Sequence, residues 1–208
     1  MGKDHDMLAP DGKSTLADRI QKSTFPFFQG TPSLNALALA AMALGMVMTP
    51  AFTLLAKRVV ANAKMLASVL VKQGYDVLTG GTDNHMVLLN MATNGMTGVV
   101  AEKALEECDI IVNKNRIPGD SKAALVTSGL RLGTNSATAR GMGAGEMMIC
   151  AELIHRVLSS IVIIDDRSYG LNDAVKREAR GEVESLCRCF PIPRYPSERT
   201  RDSGVRRA

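Results

Sequence analysis

The sequence has little of what marks several functional classes. Its aromatic content is 4% with no tryptophan, the basic residues are not interleaved with aromatics, and no reader motif is present, which argues against nucleic-acid recognition. The four cysteines, Cys108, Cys150, Cys187 and Cys189, form no Cys-x-x-Cys pair, and His5, His85 and His155 lie far apart. Neither a zinc site nor a disulfide framework is indicated, and reduced thiols suit the cytoplasm. The opening residues, Met1-Gly2-Lys3-Asp4-His5-Asp6, place acids where a secretory leader needs an apolar run. There is no internal repeat and no Ser/His/Asp or Cys/His set in a recognisable local context. The stretch Gly12-Lys13-Ser14-Thr15 lacks the earlier glycine of a phosphate-binding loop, because position 7 is Met7, and no apolar strand precedes it.

Charge is localised. The formal net charge is +4, and residues 187–208 carry six arginines against Glu198 and Asp202, which accounts for the whole of it. Residues 196–208 therefore read as a basic, disordered tail. The run from Leu34 to Leu55 has no charge and is long enough to cross a bilayer. Within it, however, Thr49-Pro50 reads as a helix cap followed by proline at the first helical position, and Gly45 as the end of the preceding helix. Two buried helices are expected, and no membrane span.

Residues 1–33 are rich in turn formers, and Phe25-Pro26-Phe27-Phe28-Gln29-Gly30-Thr31-Pro32 cannot be regular helix because each proline removes a donor and fixes φ. An ordered loop is expected there. Asn35–Met48 reads as an Ala/Leu/Met helix, apolar on nearly all sides and so buried in a core or interface. From Pro50 to Gln73, Leu54, Leu55, Val59, Ala63, Leu66, Ala67 and Leu70 recur at helical spacing opposite Lys57, Arg58, Lys64 and Lys72, with Gly74 as the stop. The period then changes: Tyr75–Leu78 and Met86–Met91 read as paired strands, Thr97 as the cap of a helix through Glu107, and Ile110–Asn113 and Leu130–Leu132 as further strands. Gly143–Ile161 and Leu171–Cys187 are helical by pattern. The order predicts an α+β domain with helices on one face of a mostly antiparallel sheet.

Three signatures follow one another: Gly80-Gly81-Thr82-Asp83-Asn84-His85, Asn113-Lys114-Asn115-Arg116-Ile117-Pro118, and Thr127-Ser128-Gly129-Leu130-Arg131-Leu132-Gly133-Thr134. Arg131 lies between Gly129 and Gly133, which leave room for a ligand, and its planar guanidinium matches a carboxylate. On residue chemistry alone a structural ion pair or a backbone tether is the alternative. Asn115 reads as a turn asparagine. His85 has the side chain that titrates nearest neutrality, but such a residue more often anchors a turn.

In combination the signatures resemble the C-terminal half of the serine (glycine) hydroxymethyltransferase family. The resemblance covers residues 19–195, including the Phe190-Pro191-Ile192-Pro193-Arg194-Tyr195 ending. It implies the C-terminal part of a fold-type I pyridoxal phosphate enzyme, an α/β architecture in which residues 1–74 are a remnant of the large domain and residues 75–195 are the small α+β domain. The implied reaction moves a hydroxymethyl group between serine and tetrahydrofolate. By the same resemblance, Arg131 holds the α-carboxylate of serine or glycine and Asn115 meets the pterin. Ala123, Ala124 and Leu125 stand where the family's folate loop has Ser-Pro-Phe. Gly30 and Thr31 belong to the loop that approaches the cofactor phosphate of a neighbouring subunit; Phe27 and Thr31 replace family glycines, and Asn35 stands at a common histidine. The family's Thr-His-Lys-Thr imine lysine has no counterpart, so no catalytic residue is assigned and the chain is expected to be inactive alone. It is expected in a homo-oligomer or paired with a full-length homologue. Alternatives are an aldolase or transaldolase of β-hydroxy amino acids and a non-catalytic subunit.

Overall fold

A computed structural model describes residues 6–193. The basic tail at 196–208 lies outside the described residues. The chain divides into two compact units, Met1–Phe52 and Thr53–Ala208.

In the first unit, Leu16–Lys22 (α1) begins at a capping box: Thr15 Oγ1 accepts from the Asp18 amide and Asp18 Oδ2 from the Thr15 amide, each at 3.1 Å. The expected loop thus contains a helix. A π-type turn, Ser23–Phe28, follows and is broken at Phe25, whose φ/ψ of −134/130 is extended, in line with the effect expected of Pro26. Leu34–Val47 (α2) starts at Ser33, whose hydroxyl accepts from the Ala36 amide. The helix passes through Gly45 and stops at Met48–Thr49, so glycine did not end it; one glycine costs only about 1 kcal/mol in a helix. Of the two placements expected for this helix, core or interface, the core is ruled out: Leu34, Leu39 and Met42 are 76%, 67% and 66% exposed, and no residue of α2 is buried within the chain.

The second unit holds most of Pro50–Lys72 (α3). Its buried side is Val59, Asn62, Ala63, Leu66, Ala67 and Leu70; Leu54 is exposed. Gly74, at φ +89°, reverses the chain and lets the Tyr75 amide reach the Leu70 carbonyl at 3.0 Å. Strands Asp76–Val77 (β1), Met86–Asn90 (β2), Asn113–Asn115 (β3) and Gly129–Gly133 (β4) form one antiparallel sheet in the order β1-β2-β4-β3. Thr97 caps Gly98–Glu106 (α4) as expected. β3 starts three residues later than Ile110, because Asp109 takes φ +61° and the Ile110 amide turns back to the Leu105 carbonyl. After Asn135–Ala139 (α5) and Ala144–Ser159 (α6), a ribbon of Val162–Ile163 (β5) and Tyr169–Gly170 (β6) leads to Asp173–Cys189 (α7).

The period-2 alternation sorts the sheet into two faces. Val77, Val87, Leu89, Leu130 and Leu132 point into one core with Leu66 and Leu70 of α3, Ala101 and Leu105 of α4, and Leu153, Val157 and Leu158 of α6. At about 25 cal/mol per Å² of apolar surface, this burial is the main force holding the sheet and these helices together. Three buried hydrogen bonds fix α3: Asn62 Nδ2 donates to Thr138 Oγ1 and to the Met142 carbonyl, both at 2.9 Å, and Thr134 Oγ1 donates to the Val59 carbonyl at 2.9 Å. The helix α7 is held differently, with Ala179 its one buried residue and ion pairs Lys176–Glu107, Arg180–Asp109 and Glu182–Arg156 along its length. Among the described residues no single helix is long and apolar enough to cross a membrane.

Candidate functional site

The other face of the sheet carries the residues with chemistry. Arg131 is opposite Leu88 on one side and Asn113 on the other, while Asn115 is opposite Gly129, which is opposite Asn90, which is opposite Asp76. All these positions share one face. Arg131 and Asn113 are exposed, and Leu88, Asn90 and Asn115 are partly so. Asn90 Nδ2 donates to Asp76 Oδ2 at 2.9 Å. Among the described residues the Arg131 guanidinium has no hydrogen-bond or ion-pair partner, so the alternative of a structural tether has no support there. Arg131 and Asn115 are diagonal neighbours on adjacent strands, a spacing of roughly 7–8 Å between backbones.

The glycines beside Arg131 play different parts. A Cβ on Gly133 would meet nothing within 4 Å, which is the room expected. On Gly129 it would lie 2.5 Å from both the Asn115 carbonyl oxygen and Ile117 Cγ2. Gly129 is therefore required by the close approach of β3 and its following loop, and makes no space for a ligand, contrary to the expectation. Opposite, on the helix side, Lys114 points into the fold. Its Nζ lies 2.6 Å from Glu102 Oε2 and its amide donates to Glu102 Oε1 at 3.0 Å. Burial opposes ionisation of Glu102, but Lys114 outweighs it and holds the carboxyl below its usual range. This anchor fixes β3, and so sets where Asn113 and Asn115 emerge.

The Asn115 side chain donates to the Arg116 carbonyl at 2.6 Å through Nδ2, leaving Oδ1 to accept. The loop from Arg116 to Ser128 is organised by Asp120, which sequence reasoning missed. Asp120 Oδ2 accepts from the Ser128 amide at 2.9 Å and the Ile117 amide at 3.4 Å; Oδ1 accepts from the Ser128 hydroxyl at 2.8 Å and the Lys122 amide at 3.0 Å. Desolvation works against the ionised form, yet these donors bring its pKa down to about 2. The only local hint was Pro118-Gly119-Asp120, a turn signal. A second tie comes from 44 residues away, where Lys122 Nζ meets both Asp166 carboxylate oxygens at 2.8 and 2.7 Å. Ala123, Ala124 and Leu125 form the exposed tip of this loop, closed by amides of Val126 and Thr127 donating to the Ala123 carbonyl.

His85 serves through its backbone: its carbonyl accepts from the Thr134 amide at 3.1 Å, and its ring is exposed. Gly30 and Thr31 lie in the first unit, in an exposed link between the π-type turn and α2, and nothing comes within 4 Å of a Cβ built on Gly30. The Arg19 guanidinium in that unit is engaged by Asp11 at 2.5 Å and by Ser14 at 3.1 Å. Asp11 Oδ1 also accepts the Lys13 and Ser14 amides, so the Gly12–Thr15 stretch is a turn closed by a carboxylate, which leaves no place for an anion.

Comparison with known proteins gives the arrangement a context. The family model for serine hydroxymethyltransferase matches residues 3–154. A serine hydroxymethyltransferase of Marinomonas sp. (strain MWYL1) is 42% identical over 179 residues, covering 86% of this chain and 41% of the relative. Those of Jannaschia sp. (strain CCS1) and Paramagnetospirillum magneticum (strain ATCC 700264 / AMB-1) are 40% and 41% identical over 182 and 177 residues, covering 88% and 85% of this chain and 40% of each relative. The chain thus spans about two fifths of the length of these curated relatives.

Proposed function

We propose, from the premise that this chain belongs to the serine hydroxymethyltransferase family, that it carries the amino-acid-binding and folate-facing part of a hydroxymethyltransferase. The observation that carries this reading is the placement on one open sheet face of Arg131, an arginine without a partner among the described residues, and Asn115 on the next strand. Arg131 receives the α-carboxylate of serine or glycine through two parallel N–H donors, an arrangement that an ammonium cannot offer. Asn115 Oδ1 accepts a hydrogen bond from the pterin, and the Ala123–Leu125 tip lies against the folate, with Asp120 holding the loop ready. Gly133 leaves the space beside the guanidinium that a bound amino acid needs.

Pyridoxal phosphate, when bound, supplies the electron sink for the bond cleavage. The described residues do not complete a site for it. Gly30 and Thr31 offer open backbone that suits a phosphate held by another subunit, but the Arg19 guanidinium is already taken by Asp11, and no lysine stands in a Thr-His-Lys-Thr context. We therefore assign the imine lysine to polypeptide outside these residues, and no chemical step to this chain alone. Residues 1–74 are then a remnant of the large domain and residues 75–195 the small domain of a cytoplasmic homo-oligomer, or of a pairing with a full-length homologue. The exposed apolar surface of α2 supports such pairing.

One observation favours a second reading. The exposed Ala123-Ala124-Leu125 tip lacks the family's rigid proline, which favours an aldolase of β-hydroxy amino acids that works without folate. The test extends the chain at its N-terminus with the preceding segment of the Marinomonas relative and follows glycine formation from serine. Formation that requires tetrahydrofolate supports hydroxymethyl transfer, and formation that is indifferent to it supports the aldolase. A folded, cofactor-loaded chimera that does neither would overturn both and leave a non-catalytic subunit.

A further inference from the structure

The loop that carries the Ala123–Leu125 tip is clasped on both sides of the tip by other parts of the fold. After the tip, the first amides of α4 hold it: Gly98 donates to the Thr127 carbonyl at 2.9 Å and Val99 to the Val126 carbonyl at 3.0 Å. Before the tip the clasp is Lys122, because Ala123, Ala124 and Leu125 offer no polar side chain. Its Nζ reaches both carboxylate oxygens of Asp166, at 2.8 and 2.7 Å. Asp166 is itself delivered by a built turn between β5 and β6. The Ile164 and Asp165 amides donate to the Ser168 carbonyl at 3.0 and 3.2 Å, and Asp165 Oδ1 accepts from the Arg167 and Ser168 amides at 2.7 and 2.8 Å. The Asp166 carbonyl accepts from Thr97 Oγ1 at 2.8 Å, and the same hydroxyl caps α4 by accepting from the Val100 amide. One buried threonine thus ties the ribbon tip to the helix whose amides hold the far end of the loop. Both residues of β5 are exposed, so the ribbon adds little to the core. What its tip supplies is a carboxylate fixed beside Lys122.

We infer that Asp166 is a positioning residue for the folate-facing loop: through Lys122 it sets where the Ala123–Leu125 tip stands, and so the affinity for a reduced folate, without touching the ligand. The inference rests on the hydroxymethyltransferase reading above. Magnitudes favour positioning over bulk stability. The Lys122 and Asp166 side chains are 39% and 58% exposed, and an ion pair so wetted shifts an equilibrium by no more than about 5-fold. That is too little to decide whether the domain folds, but enough to decide which position a short exposed loop takes, because such loops open at almost no cost. Thr97 holds the ribbon tip through the Asp166 backbone, independently of the ion pair. Arg131 lies on β4, held by ladders to β2 and β3, so the latch acts on the folate side of the site and not on the amino acid.

Two readouts test it. In the chain itself, Asp166→Asn should speed hydrogen exchange at the Val126 and Thr127 amides, which close the tip on the Ala123 carbonyl, with the melting temperature unchanged. In the N-terminally extended, cofactor-loaded chimera, Asp166→Asn should weaken tetrahydrofolate binding by about 3- to 5-fold at low salt and leave glycine binding unaltered. The ratio of parent to variant affinity should approach one at about 1 M salt, where screening acts within about 3 Å. Asp166→Lys should lose more than Asp166→Asn, and the reversed pair Lys122→Asp/Asp166→Lys should recover the parent's affinity. Unaltered exchange at both amides, unaltered folate affinity of Asp166→Asn in a chimera that binds folate, or no recovery by the reversed pair would overturn the assignment while leaving the hydroxymethyltransferase reading in place. A parent chimera that binds glycine but no folate would overturn both.

Discussion

Asn115 and Arg131 stand on adjacent antiparallel strands, two register positions apart, on the sheet face opposite the helical core. Their placement depends on what lies beneath. Leu130 and Leu132 are buried on either side of Arg131, so a slip of one residue in β4 would bury the guanidinium and expose two leucines. Lys114, between Asn113 and Asn115, is tied to Glu102 on the helix side. The core thus sets the direction of both site residues before any ligand arrives.

Packing around the loop gives a first expectation. A Cβ at Gly98 would overlap Thr127 Oγ1 and the Gly129 carbonyl oxygen, and one at Gly129 the Asn115 carbonyl oxygen. Gly98→Ala and Gly129→Ala should each destabilise the chain by about 1–3 kcal/mol, the usual cost of overpacking. Gly133→Ala should be near neutral. Urea midpoints of the three variants check the order.

Asp120 yields an acid-dependent expectation. Its carboxyl titrates near 2 in the folded chain and near 3.9 when unfolded. A depressed carboxyl contributes stability above the unfolded value, and that contribution is lost as pH falls from about 4 towards 2. Asp120→Asn should therefore lower stability at pH 6 by an amount on the order of 1 kcal/mol, given its partial exposure. The difference from the parent should shrink towards pH 2. Hydrogen exchange at the Ser128 and Lys122 amides should speed up in the variant at pH 6. Identical exchange in both proteins would show that Asp120 does not organise the loop.

The surface of α2 leads to a third expectation. Leu37, Leu39, Met42 and Leu44 are each more than half exposed, a continuous apolar surface that isolated chains cover by association. Light scattering at micromolar concentration should show oligomers, and Leu39→Glu with Met42→Glu should shift the population towards monomer. A parent chain that is monomeric throughout would contradict this.

The structure also shows where the sequence was legible. The helix α3 could be read because seven apolar residues recur at one spacing and Gly74 can adopt φ +89°. Arg131 and Asn115 could be read because their motifs are local. Asp120 and Lys122 could not, since the loop's order depends on Ser128 and on Asp166, 44 residues beyond Lys122, and distant polar pairs leave no periodic trace. The ribbon β5–β6 was missed because two-residue strands are too short to alternate. The helix α1 was hidden because its signal was the Thr15/Asp18 capping box, within a stretch dominated by turn formers. The exposure of α2 shows a limit of another kind: an apolar pattern marks a surface that favours burial, but does not say which chain buries it.

The most direct measurement of the central claim is glycine binding by Arg131→Lys in the N-terminally extended chimera, followed by isothermal titration at constant cofactor occupancy. Arg131 is exposed and has no hydrogen-bond or ion-pair partner among the described residues, so its replacement should leave the melting temperature unchanged. Loss of the planar fork should weaken glycine binding by about 1.5–3 kcal/mol, the scale of a charged hydrogen bond, with cofactor binding unaltered. Unchanged glycine affinity, or lost stability with affinity retained, would contradict the assignment of Arg131 to the substrate carboxylate.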